Sequence, residues 1–419
     1  MTRIGMVGGT FDPFHNGHRR LVEAVLESGL VDRVILMVAG QQPHKTKVKV
    51  SAAGYRYEMA LRGVSDLGQV EVSDLEIRRP GRSYTIDTLS LLRGQLAPDD
   101  EIILVYGSDV LFDLPTWHLP EKILAKADLL IAHRGGISQL EAKAQAERLR
   151  RNFSARIDFL HAPMLELSAT EVRADAVRGD LDTGKIPERV AALITRHDLY
   201  GYDEELARVE PAVWQRLADY ECQVRPLLNH KRLLHSLNVM RYAMHLANKH
   251  DVSVEKAGIA GLMHDCAKCL EAHTVLHYAR LAGDPELLEP ALAHGPAGAW
   301  LARHQFGIED PEILRAIHYH TTGSGEMSDL DLLIYVADKV EPARTYNNLE
   351  AIREAAETDL VQAMRLCLIE VEAFLERENK PSHPYAQAAL EKLGIIDHHP
   401  AQLQRKQPGA SWNNKGESN

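Results

Sequence analysis

The sequence is short of cysteine. Its 419 residues include four, Cys222, Cys266, Cys269 and Cys367. That is too few to staple a chain of this length, and it suits a reducing compartment. Long apolar runs are also missing: none reaches the roughly 20 residues a helix needs to cross a bilayer. Basic excess is absent too. A formal net charge of −11 cannot neutralise phosphates along a polymer, which argues against nucleic acid or an acidic membrane as partner. Small phosphorylated substrates need only a local cluster of cations and stay open. The opening MTRIGMVGG runs straight into a strand pattern, so no signal peptide is expected and the protein is read as cytoplasmic.

What is present is ordinary core-forming material, 45% apolar and 26% charged. The length implies two or three domains. Six apolar runs in the first 200 residues read as strands: 3–8, 33–40, 70–77, 101–107, 128–134 and 155–162. Amphipathic stretches alternate with them. In 18–29, Leu21 and Val25, then Val22 and Leu26, fall at i, i+4, and Asn16 is the expected N-cap. Alternation of this kind predicts a doubly wound parallel sheet covered by helices. Charge and Pro211 mark 203–211 as a linker. From there to 396 every periodic segment is helical (235–250, 255–271, 312–320, 329–341, 361–376). The polar stretch 397–419 is expected to be disordered.

The first chemical signal is GGTFDPFHNGH, residues 8–18. Gly8 and Gly9 end a strand and precede a helix, a place where backbone N–H groups receive anions. His15 and His18, three apart at a helix start, face one side and can donate hydrogen bonds to a phosphoryl group in its transition state. The stretch resembles the H-x-G-H loop of the nucleotidyltransferase superfamily, whose fold is Rossmann-like. LSATEVR (167–173) resembles that superfamily's I-S-S-T-x-I-R segment, with Ala169 replacing a serine while Ser168, Thr170 and Arg173 remain.

QQPHK (41–45), SYTIDTL (83–89) and YGSDVLFDLPTW (106–117) are similar to bacterial nicotinate-nucleotide adenylyltransferases. The resemblance implies transfer of AMP from ATP to nicotinate mononucleotide, giving deamido-NAD and pyrophosphate. Mg²⁺ would accompany the ATP phosphates. It further implies that Lys45 and Arg173 hold phosphates and Asp109 contacts the nucleotide. Trp117 would stack on the pyridine ring, backbone near Thr85 would take the carboxylate, and Gly8, Gly9, Thr10 and Phe11 would form the phosphate turn. Another adenylyl- or cytidylyltransferase is the alternative.

The second signal is GLMHDCAK, 261–268, in an apolar setting. A buried His-Asp pair is costly unless partnered, and His235, His294, His318, His320 and Asp338 lie at wide intervals around it. Imidazoles and carboxylates without a thiolate set suit Fe²⁺ or Mn²⁺, and an Asp beside a His can bridge two ions. Cys266 and Cys269 form a C-x-x-C without a second pair, which is read as coincidence.

The order H…HD…H…H…D resembles the HD phosphohydrolase superfamily. LAHGPAGAW (292–300), AIHYHTTG (316–323) and LIYVADKVEPAR (333–344) are similar to its YqeK-type symmetrical diadenosine tetraphosphate hydrolases, which yield two ADP. The resemblance implies that His235, His264, Asp265 and Asp338 hold one metal. His294 and His318 would complete a second, with Asp265 shared. Lys268, His320 and Arg344 would meet substrate phosphates, and whether His320 is instead a ligand stays open. The expected organisation is therefore a transferase domain 1–202, a linker 203–211, an all-α HD bundle 212–396 and a tail 397–419. A different nucleotide substrate, or a non-catalytic nucleotide sensor, is the alternative for the second half.

Overall fold

The computed structural model describes residues 1–41, 50–133, 136–165, 167–182, 184–346 and 348–396. Lys45 and the segment 397–419 lie outside them.

Six parallel strands form one sheet: β1 Arg3–Gly9, β2 Arg33–Val38, β3 Val70–Ser73, β4 Glu101–Gly107, β5 Asp128–Ala132 and β6 Ile157–Leu160. Their order is β3-β2-β1-β4-β5-β6. β2 reads RVILMV with five consecutive buried residues, the near-continuous apolar run of a strand covered on both faces. The winding reverses between β1 and β4, which pair directly. Ligands of open α/β sheets bind at that switch point, beyond the carboxyl ends of the strands. All six expected strands form, although β3 stops at Ser73 and 74–77 turn away.

The helices of this half are α1 Asn16–Glu27, α2 Ala53–Gly63, α3 Thr85–Arg93, α4 Val110–Asp113, α5 Pro120–Lys126, α6 Gln139–Phe153, α7 Ala169–Val177, α8 Glu188–Arg196 and α9 Asp203–Leu206. The N-cap of α1 is His15, one residue before the expected Asn16. Asn16 instead donates its side-chain amide to Gly184 O at 3.0 Å, tying the helix start to a distant loop.

The second half is helical throughout its described residues. Its helices are α10 Pro211–Val224, α11 His230–Lys249, α12 Val254–Met263, α13 Ala272–Ala282 and α14 His294–His304, then α15 Pro311–Tyr319, α16 Asp329–Val340, α17 Leu349–Ala356, α18 Leu360–Arg377 and α19 Pro384–Lys392. α12 ends earlier than its apolar pattern suggested. His264 is its C-cap and Asp265 lies in the turn beyond, so the pair projects from a helix end rather than from mid-helix. Among the described residues, no helix is long and apolar enough to cross a membrane.

The halves are packed together. One continuous core runs from Val7 and Phe14 under the sheet through Leu217, Leu237 and Met240 to Leu390. The expected linker is part of it, since α9 buries Leu206. α11 explains this: Leu233 through Ala247 are all buried, as in a helix enclosed on every side. One face meets the HD bundle and the other meets α2. Across that seam Gly54 N donates to Glu221 Oε1 at 2.7 Å, Tyr55 O–H donates to Asn238 Oδ1 at 2.7 Å, and Glu58 pairs with His230.

Candidate active sites

At the switch point the ends of β1 and β4 open into a cavity of about 510 Å³. Gly8, Gly9, Thr10 and Phe11 line it from one strand end, Tyr106 and Gly107 from the other. A Cβ on Gly9 would lie 2.6 Å from the Phe11 ring. Glycine there lets Phe11, at φ 53°, fold back beneath the strand. The turn is braced from outside the cavity. Asp12 accepts from Ser51 N at 2.9 Å and from the buried Tyr200 O–H at 2.9 Å. Arg56 donates to Thr10 O at 3.1 Å and to Ala39 O at 2.7 Å.

His18 lines the cavity, and His15 is buried beside it. Their rings stack at 3.7 Å between centroids, and His15 N donates to His18 Nδ1 at 3.2 Å. That bond makes Nδ1 the acceptor and leaves Nε2 to carry the hydrogen, the tautomer a phosphoryl-facing donor needs. Opposite stand Ala169, Thr170 and Arg173, on the first turns of α7. Arg173 donates to Asp12 O at 2.6 Å and to Thr170 Oγ1 at 3.2 Å, so guanidinium, helix N-terminus and turn share one space. Ser168 is exposed at the N-cap of α7. Asp109 lines the cavity's other wall.

Thr85 and Trp117 do not line that cavity. They sit next to it, joined through Tyr106, which lines the cavity and meets Trp117 edge-on at 5.5 Å. Thr85 opens α3. Tyr106 itself was not singled out from sequence, although it stands near the carboxyl end of β4.

The second site is built where α11, α12, α14, α15 and α16 converge. His235 Nε2 lies 2.9 Å from Asp338 Oδ1 and 3.3 Å from His264 Nε2. His264 Nε2 is 3.4 Å from Asp265 Oδ2. On the other side of Asp265, His294 Nε2 is 3.3 Å and His320 Nε2 3.6 Å from Oδ1. Two donor groups result, His235/His264/Asp338 and His264/Asp265/His320, each with ligand atoms within 4.8 Å of one another.

His318 is not among them. The structure turns it to Asp284, with Nε2 3.0 Å from Oδ2, and brings His320 to Asp265 instead. The reason is local. α15 ends at Tyr319 with His320 as its C-cap, and His320 Nδ1 bonds back to Ile317 O at 2.7 Å, which aims Nε2 inward.

Three imidazoles are pinned in that way. His264 Nδ1 meets Gly261 O at 2.7 Å and His235 Nδ1 meets Glu341 Oε1 at 3.2 Å. These acceptors claim the Nδ1 hydrogens, so each Nε2 turns inward. Burial lowers His235, but Asp338 and Glu341 outweigh it and favour a proton there. In their neutral forms the Nε2 atoms of His235 and His264, 3.3 Å apart, offer lone pairs to one shared cation. The donor chemistry therefore fits a divalent ion with its ligands oriented by outer hydrogen bonds. Burial lowers His294, and it lowers His320 to about 4, keeping both neutral. Burial pushes Asp265 and Asp338 upward. The imidazoles around Asp265, and Lys339 with His235 beside Asp338, outweigh it and hold both carboxyls well below their ordinary range.

Cations ring these carboxylates. Arg232 Nη1 lies 2.6 Å from Asp265 Oδ2, Lys339 Nζ 2.7 Å from Asp338 Oδ2 and Arg344 Nη2 2.9 Å from Asp338 Oδ1. Lys268 Nζ lies 3.1 Å from His294. Arg232 and Glu341 were missed in the sequence, though each stands three residues from a named ligand on the same helical face or its continuation. Cys266 is buried and Cys269 exposed.

The Cytidylyltransferase-like family pattern matches residues 6–175 and the HD domain pattern residues 232–343. A probable nicotinate-nucleotide adenylyltransferase of Clostridium botulinum is 33% identical over 200 residues, 48% of this chain and 98% of that protein. One from Desulfitobacterium hafniense is 36% identical over 198 residues, 47% of this chain and 95% of its own. In the second half, a crystal structure from Clostridium acetobutylicum, described as a predicted HD superfamily hydrolase involved in NAD metabolism, shares 35% identity. It covers 43% of this chain and 97% of its own, with a TM-score of 0.41. The chain thus belongs, through its first half, to the nicotinate-nucleotide adenylyltransferase family, and it joins that domain to an HD domain.

Proposed function

We propose that the chain is a bifunctional nucleotide enzyme. The first half transfers AMP from ATP to nicotinate mononucleotide, giving deamido-NAD and pyrophosphate. The family supports this reading, and so does the convergence of His18, Arg173 and the start of α7 on one cavity at the switch point. There the acceptor phosphate attacks the α-phosphorus of ATP in line. His18, with His15 stacked behind it, donates to the phosphoryl oxygens as charge develops, and Arg173 and Thr170 hold the departing phosphates. Positioning and charge stabilisation supply the rate. Trp117 and Thr85, beyond Tyr106, receive the pyridine end.

The second half hydrolyses diadenosine tetraphosphate to two ADP. The observation that carries this is the set of cations, Arg232, Lys268, Lys339 and Arg344, around an imidazole–carboxylate cluster. One centre of this kind can both hold a metal and grip a chain of phosphates. His235, His264, Asp265, His294, His320 and Asp338 would hold iron or manganese, and such an ion would activate water at neutral pH.

The pairing has a rationale: one half makes a phosphate bridge between nucleosides, the other breaks one. The hydrolase half would clear dinucleoside polyphosphates, including any formed when ATP accepts the adenylyl group. Purified chain and its Asp265→Ala variant, supplied with ATP, nicotinate mononucleotide and Mn²⁺, test both activities. Deamido-NAD should form equally in both, and added diadenosine tetraphosphate should fall to ADP only in the unaltered chain. A tetraphosphate left intact by the unaltered chain would remove the hydrolase assignment.

A further inference from the structure

The imidazole of His235 is oriented by a chain of hydrogen bonds that starts in the other half of the molecule. Its Nδ1 lies 3.2 Å from Glu341 Oε1. The second oxygen of Glu341 accepts from Asn238 Nδ2 at 2.8 Å. A carboxylate can only accept there, so it fixes which end of the Asn238 amide is nitrogen. Asn238 Oδ1 then receives the Tyr55 hydroxyl at 2.7 Å. His197 Nδ1 closes the group, 2.9 Å from Asn238 Nδ2 and 3.0 Å from its Oδ1, so the ring packs against the same amide whichever of its nitrogens carries the hydrogen. Tyr55, Asn238, Glu341, His235 and His197 are all buried, so water does not substitute for a missing partner.

Tyr55 stands on α2 and His197 caps α8, both elements of the transferase half, while Asn238 and Glu341 belong to the HD half. We propose that Tyr55 and His197 are positioning residues for the metal centre, acting across the domain seam through Asn238 and Glu341. The inference rests on the reading of His235 as a ligand. The transferase domain therefore supplies the outermost layer of the hydrolase site. Outer partners of ligating histidines set ring orientation and basicity, and losing one typically costs about 10- to 100-fold in affinity.

Mn²⁺ alone is a suitable probe, its binding to the full chain followed by the electron paramagnetic resonance signal of the free ion. Glu341→Gln should weaken binding about 10- to 100-fold. Tyr55→Phe removes one oxygen and no packing, and should weaken it about tenfold, near the lower end of that range. The double variant should lose less than the sum of the two in free energy, because both act through one chain of bonds. Glu205→Ala breaks the ion pairs that clasp α9 to His245 and Lys249, a seam contact off this route. It should lower the melting temperature without moving the Mn²⁺ affinity. An unchanged affinity in Tyr55→Phe overturns the proposal, and so does an equal loss in Glu205→Ala. An unaltered chain that binds no Mn²⁺ overturns the metal-centre reading, and the positioning role with it.

Discussion

Gly261 lies against the backbone of Met240 with no room for a side chain: a Cβ there would sit 2.9 Å from Met240 Cα. α12 passes tightly over α11 here, near His235 on α11 and His264 at the C-cap of α12. Gly261→Ala should force the helices apart and cost about 1–3 kcal/mol of stability, with a weaker Mn²⁺ affinity than that of the unaltered chain. Chemical denaturation and a metal titration on one preparation read both effects. Full retention of both would mean that the helices adjust freely.

His18 is the imidazole that faces the transferase cavity. His18→Ala should lower turnover about 10²-fold or more, the scale of losing one transition-state donor, with little change in stability. Pyrophosphate release at saturating substrates measures it, and a rate within a few-fold of the original would place the phosphoryl donor elsewhere.

Arg232 occupies Asp265 Oδ2 at 2.6 Å, and its side chain is partly exposed at the rim. An ion held by Asp265 would compete with the guanidinium for that carboxylate and leave Arg232 free to meet substrate phosphates. Arg232→Met should raise KM for diadenosine tetraphosphate about tenfold or more, the worth of a hydrogen bond to a charged group, with kcat little altered. A fall in kcat at unchanged KM would assign Arg232 to the transition state instead.

Acid should loosen the seam. Glu58 on α2 contacts Arg62 and His230. Burial pushes its carboxyl upward, but those two partners outweigh burial and hold it below the ordinary 4.5. A carboxyl lowered by folding adds stability that is complete above its unfolded value and is lost as pH falls through its folded value. The unaltered chain should therefore melt above Glu58→Gln at pH 7. The gap should close on acidification below about 4.5. Melting curves across that range decide it, and a gap that persists at the acid end would contradict the assignment.

Strand alternation, glycine placement and the spacing of His and Asp made both halves legible in the sequence, because each reflects local chemistry. The errors were of direction. His318 and His320 are two residues apart, and periodicity does not say that α15 ends between them and swings the second inward. Asn16 looked like the cap of α1, but His15 takes that position and Asn16 reaches another loop. Arg232 and Glu341 were visible as i, i+3 neighbours of His235 and Asp338. Their roles depend on contacts made more than thirty residues away, Arg232 with Asp265 and Glu341 with His235. The seam was hidden most completely. The apolar residues of α11 read as core, and nothing local says that Asn238 and Leu237 face the other domain.

That shared core constrains how the two halves can be separated. Cutting the present chain near Leu206 would leave Gly54 and Tyr55 on one fragment, and Leu233, Leu237 and Met240 on the other, facing solvent as greasy scars. Independent halves would need those surfaces rewritten with polar side chains first, and a nick in the connecting segment should leave two pieces that still copurify.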